Sequence, residues 1–164
     1  MRHMHTSATS RLGRTARVAM LALVASLTAV FAVQSPSMAD EDWYTACEND
    51  WVTCQTGVTG VAVEGDCMTE GADLHHTSVC VKYDGDYVYV RDGEADGYAA
   101  VGRIEYLDTD NKNIRFCRNN SGYGTWARCN FDWNEEVTKD VRAGYKVSSS
   151  TVWSGNTLWT FKNN

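Results

Sequence analysis

Proline, basic charge and histidine are scarce in this 164-residue chain, and each scarcity narrows what it can do. The single proline, Pro36, stands ahead of the part expected to fold. With 43% hydrophobic and 22% charged residues, what remains suits one modest domain, which excludes a multi-domain enzyme and a disordered tail. No stretch sustains a 3.6-residue apolar period, so no helical domain is expected. No apolar run reaches the roughly 20 residues needed to cross hydrocarbon. The longest, Val18 to Val33, has 16.

That run is preceded by Arg2, Arg11, Arg14 and Arg17 and followed by Pro36 and the small-residue site Ser37-Met38-Ala39. Residues 1–39 therefore read as a secretory signal peptide, with an exported, extracellular product that is not anchored in a membrane. No cysteine stands at the cleavage point to receive a lipid. Cleavage would leave all 21 acids but only 11 of the 15 basic residues, a net charge of −10. Such a field repels phosphate, and Arg115, Arg118 and Arg128 are the only candidates for a basic patch, so neither nucleic acid nor an anionic membrane is an expected partner.

Recognisable reaction chemistry is also missing. There is no Gly-x-Ser-x-Gly motif, and only His75 and His76 lie beyond residue 39. The two histidines would need carboxylates such as Asp73 to hold zinc, since three or four ligands are required. Glu135 and Glu136 are the nearest to a carboxylate pair, but adjacent strand residues face opposite ways, so a solvated turn suits them better. No enzyme activity and no cofactor are expected.

What the chain does contain is an even set of cysteines. Cys47, Cys54, Cys67, Cys80, Cys117 and Cys129 all fall after the leader, which in an exported chain points to three disulfides. Six cysteines allow 15 pairings. The sequential one, Cys47 to Cys54, Cys67 to Cys80 and Cys117 to Cys129, is preferred because its first and last pairs bracket short loops whose ends must meet. Cys117 and Cys129 flank the turn-rich Arg118 to Gly124 and are expected to face each other across a hairpin.

Strand signals recur about every ten residues. The clearest is Ser78 to Tyr83, then Asp84-Gly85, then Asp86 to Arg91, the pattern of a hairpin with a two-residue type I′ turn. Further strands are predicted at 57–63, 98–107, 113–118, 125–131, 137–147 and 157–162. The fold class is all-β: an antiparallel β-sandwich of immunoglobulin-like proportions, with a small barrel as the competing closure. Residues 57–164 form the sandwich and 40–56 a disulfide-looped N-terminal extension.

Residues 40–54 mix five acids with Trp43, Tyr44 and Trp51. Closed by Cys47 and Cys54, this segment is a candidate docking probe whose rigid aromatics lose little entropy on binding. The alternative is that it folds back as an edge strand and its tryptophans cover the protein's own core. Asp92, Glu94 and Asp96 occupy positions 1, 3 and 5 of a calcium-type loop, yet Arg103 stands where a bidentate Glu is needed, and a turn whose Asp side chains cap amides fits better. The segment 108–113 reads as a hairpin loop. Trp126, Trp133, Trp153 and Trp159 could stack sugar rings, but core packing is the more economical reading. Asn119-Asn120-Ser121 matches a glycosylation sequon.

The stretch Asp92-Gly-Glu-Ala-Asp-Gly-Tyr-Ala-Ala-Val101, the Gly/Trp-rich segment after it and the strand Lys139-Asp-Val-Arg-Ala-Gly-Tyr-Lys-Val147 resemble the small secreted β-sandwich proteins common in actinobacteria. The resemblance spans roughly residues 78–162. Most such proteins have no assigned activity. One characterised role is the adaptor subunit of secreted umbrella toxin particles, which links lectin subunits to a stalk. That resemblance implies a non-catalytic protein–protein adaptor; a carbohydrate-binding module, a small hydrolase and a protease inhibitor presenting Asn119 to Tyr123 are the alternatives.

Overall fold

A computed structural model describes residues 43–162. The predicted leader and cleavage site lie outside these residues. Among the described residues there are eleven strands: β1 (Val52–Thr56), β2 (Val58–Thr59), β3 (Asp66–Thr69), β4 (Ser78–Lys82), β5 (Tyr87–Arg91), β6 (Ala99–Asp108), β7 (Asn111–Asn119), β8 (Trp126–Asn130), β9 (Lys139–Ser148), β10 (Thr151–Ser154) and β11 (Trp159–Phe161). Among the described residues the only helical turns are two short 3-10 segments, Thr45–Glu48 and Ala72–Leu74, and no helix is long and apolar enough to cross a membrane.

The strands form a β-sandwich. One sheet runs β1-β7-β6-β9-β10, with β11 also pairing β9, and the other runs β2-β8-β5-β4-β3. All pairings are antiparallel except β1 with β7, which is parallel. The core between the sheets follows the two-residue period of strands. Val79 and Val81 of β4 and Val88 and Val90 of β5 meet Ala100, Ile104 and Tyr106 of β6 and Val141 and Ala143 of β9.

The intervening residues of β6 and β7 face outward, and there a second apolar cluster forms. Val101, Ile114, Phe116 and Val52 are covered by Trp43, with Tyr44, Cys54 and Val152 packed at its margin. Segment 43–51 lies over the outer face of the larger sheet, tied to the β9–β10 turn by Thr45 N–H donating to Ser149 O at 2.8 Å. The chain then passes from one sheet to the other between β1 and β2 at Gly57, where a Cβ would stand 2.8 Å from Ala127 Cβ, so only glycine permits the crossing.

All three disulfides pair in sequence order, Cys47–Cys54, Cys67–Cys80 and Cys117–Cys129, and no described cysteine is free. Their roles differ. Cys67 and Cys80 are direct cross-strand partners that fasten the exposed edge strand β3 to β4. Cys117–Cys129 does not span a hairpin, as its spacing suggests: β7 and β8 belong to different sheets, and the buried bond joins the two layers through the core. Residues 120–125 are a crossover between layers, not a hairpin turn.

The β4–β5 hairpin is present, but its loop has four residues rather than two. The last pair is Lys82 with Tyr87, and Tyr83 to Asp86 form the loop, closed by Asp86 N–H to Tyr83 O. Tyr83 leaves the ladder because its ring packs on Phe161 and its hydroxyl bonds Asp66 and Trp159. The segment 108–113 is the β6–β7 hairpin as expected, with Thr109 and Asp110 at positive φ between the paired Asp108 and Asn111.

Candidate functional site

The aromatics of the N-terminal segment are divided between core and surface. Trp43 is 4% exposed, edge-on to Phe116 and beneath the Arg118 guanidinium. Tyr44 stacks on Trp43 and meets Phe116 edge-on. These contacts correct the reading of Trp43 as a partner-contacting residue: a parallel pairing of β1 to β7 draws residues 43–51 across an apolar sheet face that would otherwise stand in water. Residues 40–56 are thus not a free extension in their described part, since Val52–Thr56 is a strand of the larger sheet.

Trp51 is different. It is 41% exposed and lies in the loop closed by Cys47–Cys54, whose backbone is tied at every turn. Cys47 N–H donates to Tyr44 O, Asn49 N–H and Nδ2 both donate to Ala46 O, Val52 N–H donates to Asn49 O, and Ile114 N–H donates to Trp51 O. The ring borders an open pocket of about 490 Å³ shared with Asp50 and the β6–β7 hairpin residues Asp110, Asn111, Lys112 and Asn113. Lys112 is drawn to Glu105, which Arg103 also contacts, so the acids Asp50 and Asp110 dominate the pocket rim. The result is an exposed aromatic on a tied loop beside an open depression lined by Asp50, Asp110 and Lys112.

The other sequence candidates separate in the same way. Of the four tryptophans considered as a sugar platform, Trp133 is buried in the core, Trp159 is half-buried with its indole N–H donating to Tyr83, and Trp126 is half-buried. Only Trp153 is open, 58% exposed, beside a pocket of about 500 Å³ that includes Glu70, Asp73, Arg142 and Asn156. A continuous platform does not form. Asn119 of the sequon is fully buried, its amide donating to Val90 O and Thr125 O, so the folded chain does not offer it for glycosylation. Arg115 and Arg128 lie over the rings of Tyr106 and Tyr87, and Arg118 over Trp43.

The calcium-type loop behaves as a turn. Asp92 Oδ1 accepts from Glu94 N–H at 3.1 Å and Asp96 Oδ1 from Tyr98 N–H at 2.7 Å. Asp92 is buried, which raises its carboxyl above the usual range. Burial also pushes Asp96 upward, but the Tyr98 amide and His75 outweigh it and hold Asp96 low. Glu94 and Asp96 converge on His75 from a distant loop, with Nδ1 against Asp96 Oδ2 and 3.8 Å from Glu94 Oε2. Asp92 and Asp73 are not part of this cluster. The grouping was not apparent in the sequence because its members come from two segments about 20 residues apart.

One further site has no sequence signal. Lys139 is fully buried, its ammonium 5.1 Å from the Phe161 ring and 6.0 Å from that of Trp133, donating to Val137 O. Asp86 nearby is 8% exposed; burial pushes its carboxyl up to about 6 although Oδ2 accepts from Trp133 N–H. Both groups sit in the core at one end of the sandwich, and no open pocket reaches them among those described.

Comparison with protein-family models, with curated proteins and with solved structures finds no match.

Proposed function

We propose that this chain is an exported, non-catalytic binding protein, and that its contact surface is the Cys47–Cys54 loop, with Trp51 as the anchor, together with the rim formed by Asp50, Asp110 and Asn111. The single observation that carries this reading is a large aromatic ring left 41% exposed on a loop otherwise fixed by a disulfide and five backbone-directed hydrogen bonds. A pre-ordered loop loses little conformational entropy on docking, so its ring can act as an anchor worth about 2 kcal/mol or more. Three disulfides fit an oxidising compartment, and with the leader-like residues 1–39 they support export. The partner is another secreted protein with an apolar, basic patch. Adaptor service within a multi-subunit extracellular particle, the role implied by the actinobacterial resemblance, is one form of such binding.

A photo-crosslinking side chain in place of Trp51, in protein exported into the native culture fluid, tests this. One discrete heterologous adduct is expected from position 51 and none from position 58, an exposed site on β2. Equal labelling from both positions would contradict a dedicated surface.

A second reading attaches to Trp153. An exposed indole beside Arg142, Asn156, Glu70 and Asp73 has the mix of stacking face and hydrogen-bonding groups that a sugar ring uses. Retention on glycan resin that is released by free sugar and lost in Trp153→Ala would establish it.

A further inference from the structure

We infer that His75, Glu94 and Asp96 form a binding site for a divalent transition metal ion of the zinc class.

Four observations lead there. His75 Nδ1, a Glu94 oxygen and an Asp96 oxygen all lie within 4.8 Å of one another, and a tetrahedral zinc ion with ligands at about 2.0–2.2 Å would hold such atoms roughly 3.3 Å apart, replacing the direct His75–Asp96 contact and bringing Glu94 in. Glu94 has the most exposed side chain of the three, so its rotation closes the remaining gap. The donor set is one imidazole nitrogen and two carboxylates, a composition that suits zinc and its neighbours; calcium and magnesium favour oxygen alone. Among the described residues, His75 is the only ion-pair partner of Glu94 and Asp96, so no Lys or Arg competes with a metal ion for the two carboxylates.

The cluster is also braced. Asp96 is oriented by the Tyr98 amide, which occupies Oδ1 and leaves Oδ2 for His75. The imidazole is held between Tyr145, with ring centroids 3.9 Å apart, and Tyr98, edge-on at 5.5 Å. The loops bearing the donors are pressed together at Gly93, where a Cβ would lie 2.1 Å from His76 O. Neighbours that fix the donor side chains in this way let the ligands act together. Three protein ligands leave at least one coordination position, which water or a donor from a partner can fill.

The test is zinc titration by calorimetry of the exported protein, prepared without a polyhistidine tag, with calcium and magnesium as comparison ions. The expected result is one zinc per chain, with neither calcium nor magnesium competing at equal concentration. His75→Asn and Glu94→Gln should each weaken zinc binding by about tenfold or more. Asparagine is chosen at position 75 because that residue has φ of 55°, a left-handed conformation Asn tolerates. His76→Asn, at φ of 50° but outside the cluster, should leave binding intact and so reports any general effect of altering this loop. If His75→Asn fails to fold, the imidazole resonances of wild-type His75 give the second readout and should move on adding zinc. Absence of binding at millimolar zinc, undiminished binding in both Glu94→Gln and His75→Asn, or unmoved His75 resonances would overturn the inference.

Discussion

Trp43 stands edge-on to Phe116, ring centroids 6.2 Å apart and planes at 78°, on the outer face of the larger sheet. Through this contact the N-terminal segment closes a second apolar cluster on a face that a two-layer sandwich would leave in water. The same segment presents Trp51 outward a few residues later. One tryptophan thus holds the loop to the sheet, and the other stands partly in solvent.

These two residues should respond oppositely to truncation. Trp43→Ala removes a buried ring and should cost about 3 kcal/mol or more, whereas Trp51→Ala should change stability by less than about 1 kcal/mol. Denaturant midpoints of the two variants check this, and equal losses would mean that Trp51 is also structural.

Removing individual disulfides should rank by what each holds. Each closes a loop expected to contribute about 2–3 kcal/mol. Replacing Cys117 and Cys129 together by alanine should cost most, because that bond joins the layers and its sulfurs are buried in the core. Replacing Cys67 and Cys80 should loosen β3 while leaving the other strands protected from hydrogen exchange. Full reduction should lower the melting midpoint by more than about 20 °C. An unchanged melting curve after complete reduction would contradict a stabilising role.

Asp86 should make the fold more stable in mild acid than at neutrality. Its carboxyl titrates near 6 in the folded chain and near the ordinary 3.8 when unfolded, so between these values the folded state binds more protons. This contribution is complete below about pH 4 and lost as pH rises through 6, a difference of about 2–3 kcal/mol. Asp86→Asn should therefore stabilise at pH 7 and flatten the profile from pH 4 to 7. Residue 86 has φ of 55°, which Asn accepts, and an Asn oxygen can still take the Trp133 N–H. Equal melting points of the wild type and this variant at pH 7 would contradict a raised Asp86.

Much of the fold was legible because strand alternation and cysteine parity are local signals. The β6, β7, β8 and β9 segments and the presence of three disulfides follow from them, and the preference for short loops picks out the sequential pairing. What was missed depends on neighbours. β3 is exposed at all four positions and β10 is short, so neither carries an alternating pattern. Cysteine spacing gives distance along the chain but not sheet membership, which is why Cys117–Cys129 was expected across a hairpin instead of between layers. The N-terminal aromatics were recognised as a group, but whether each faces the sheet or the solvent is decided by the parallel pairing of β1 with β7, a long-range contact. His75 gained its partners in the same way, from a loop that only folding brings close.

The most direct measurement is the dissociation constant of the chain for the protein that crosslinks through position 51, compared between the wild type and Trp51→Ala. A loss of about 30-fold with an unchanged melting midpoint is the expected result, matching an anchor of about 2 kcal/mol. Undiminished affinity in Trp51→Ala would contradict the assignment of the Cys47–Cys54 loop as the contact surface.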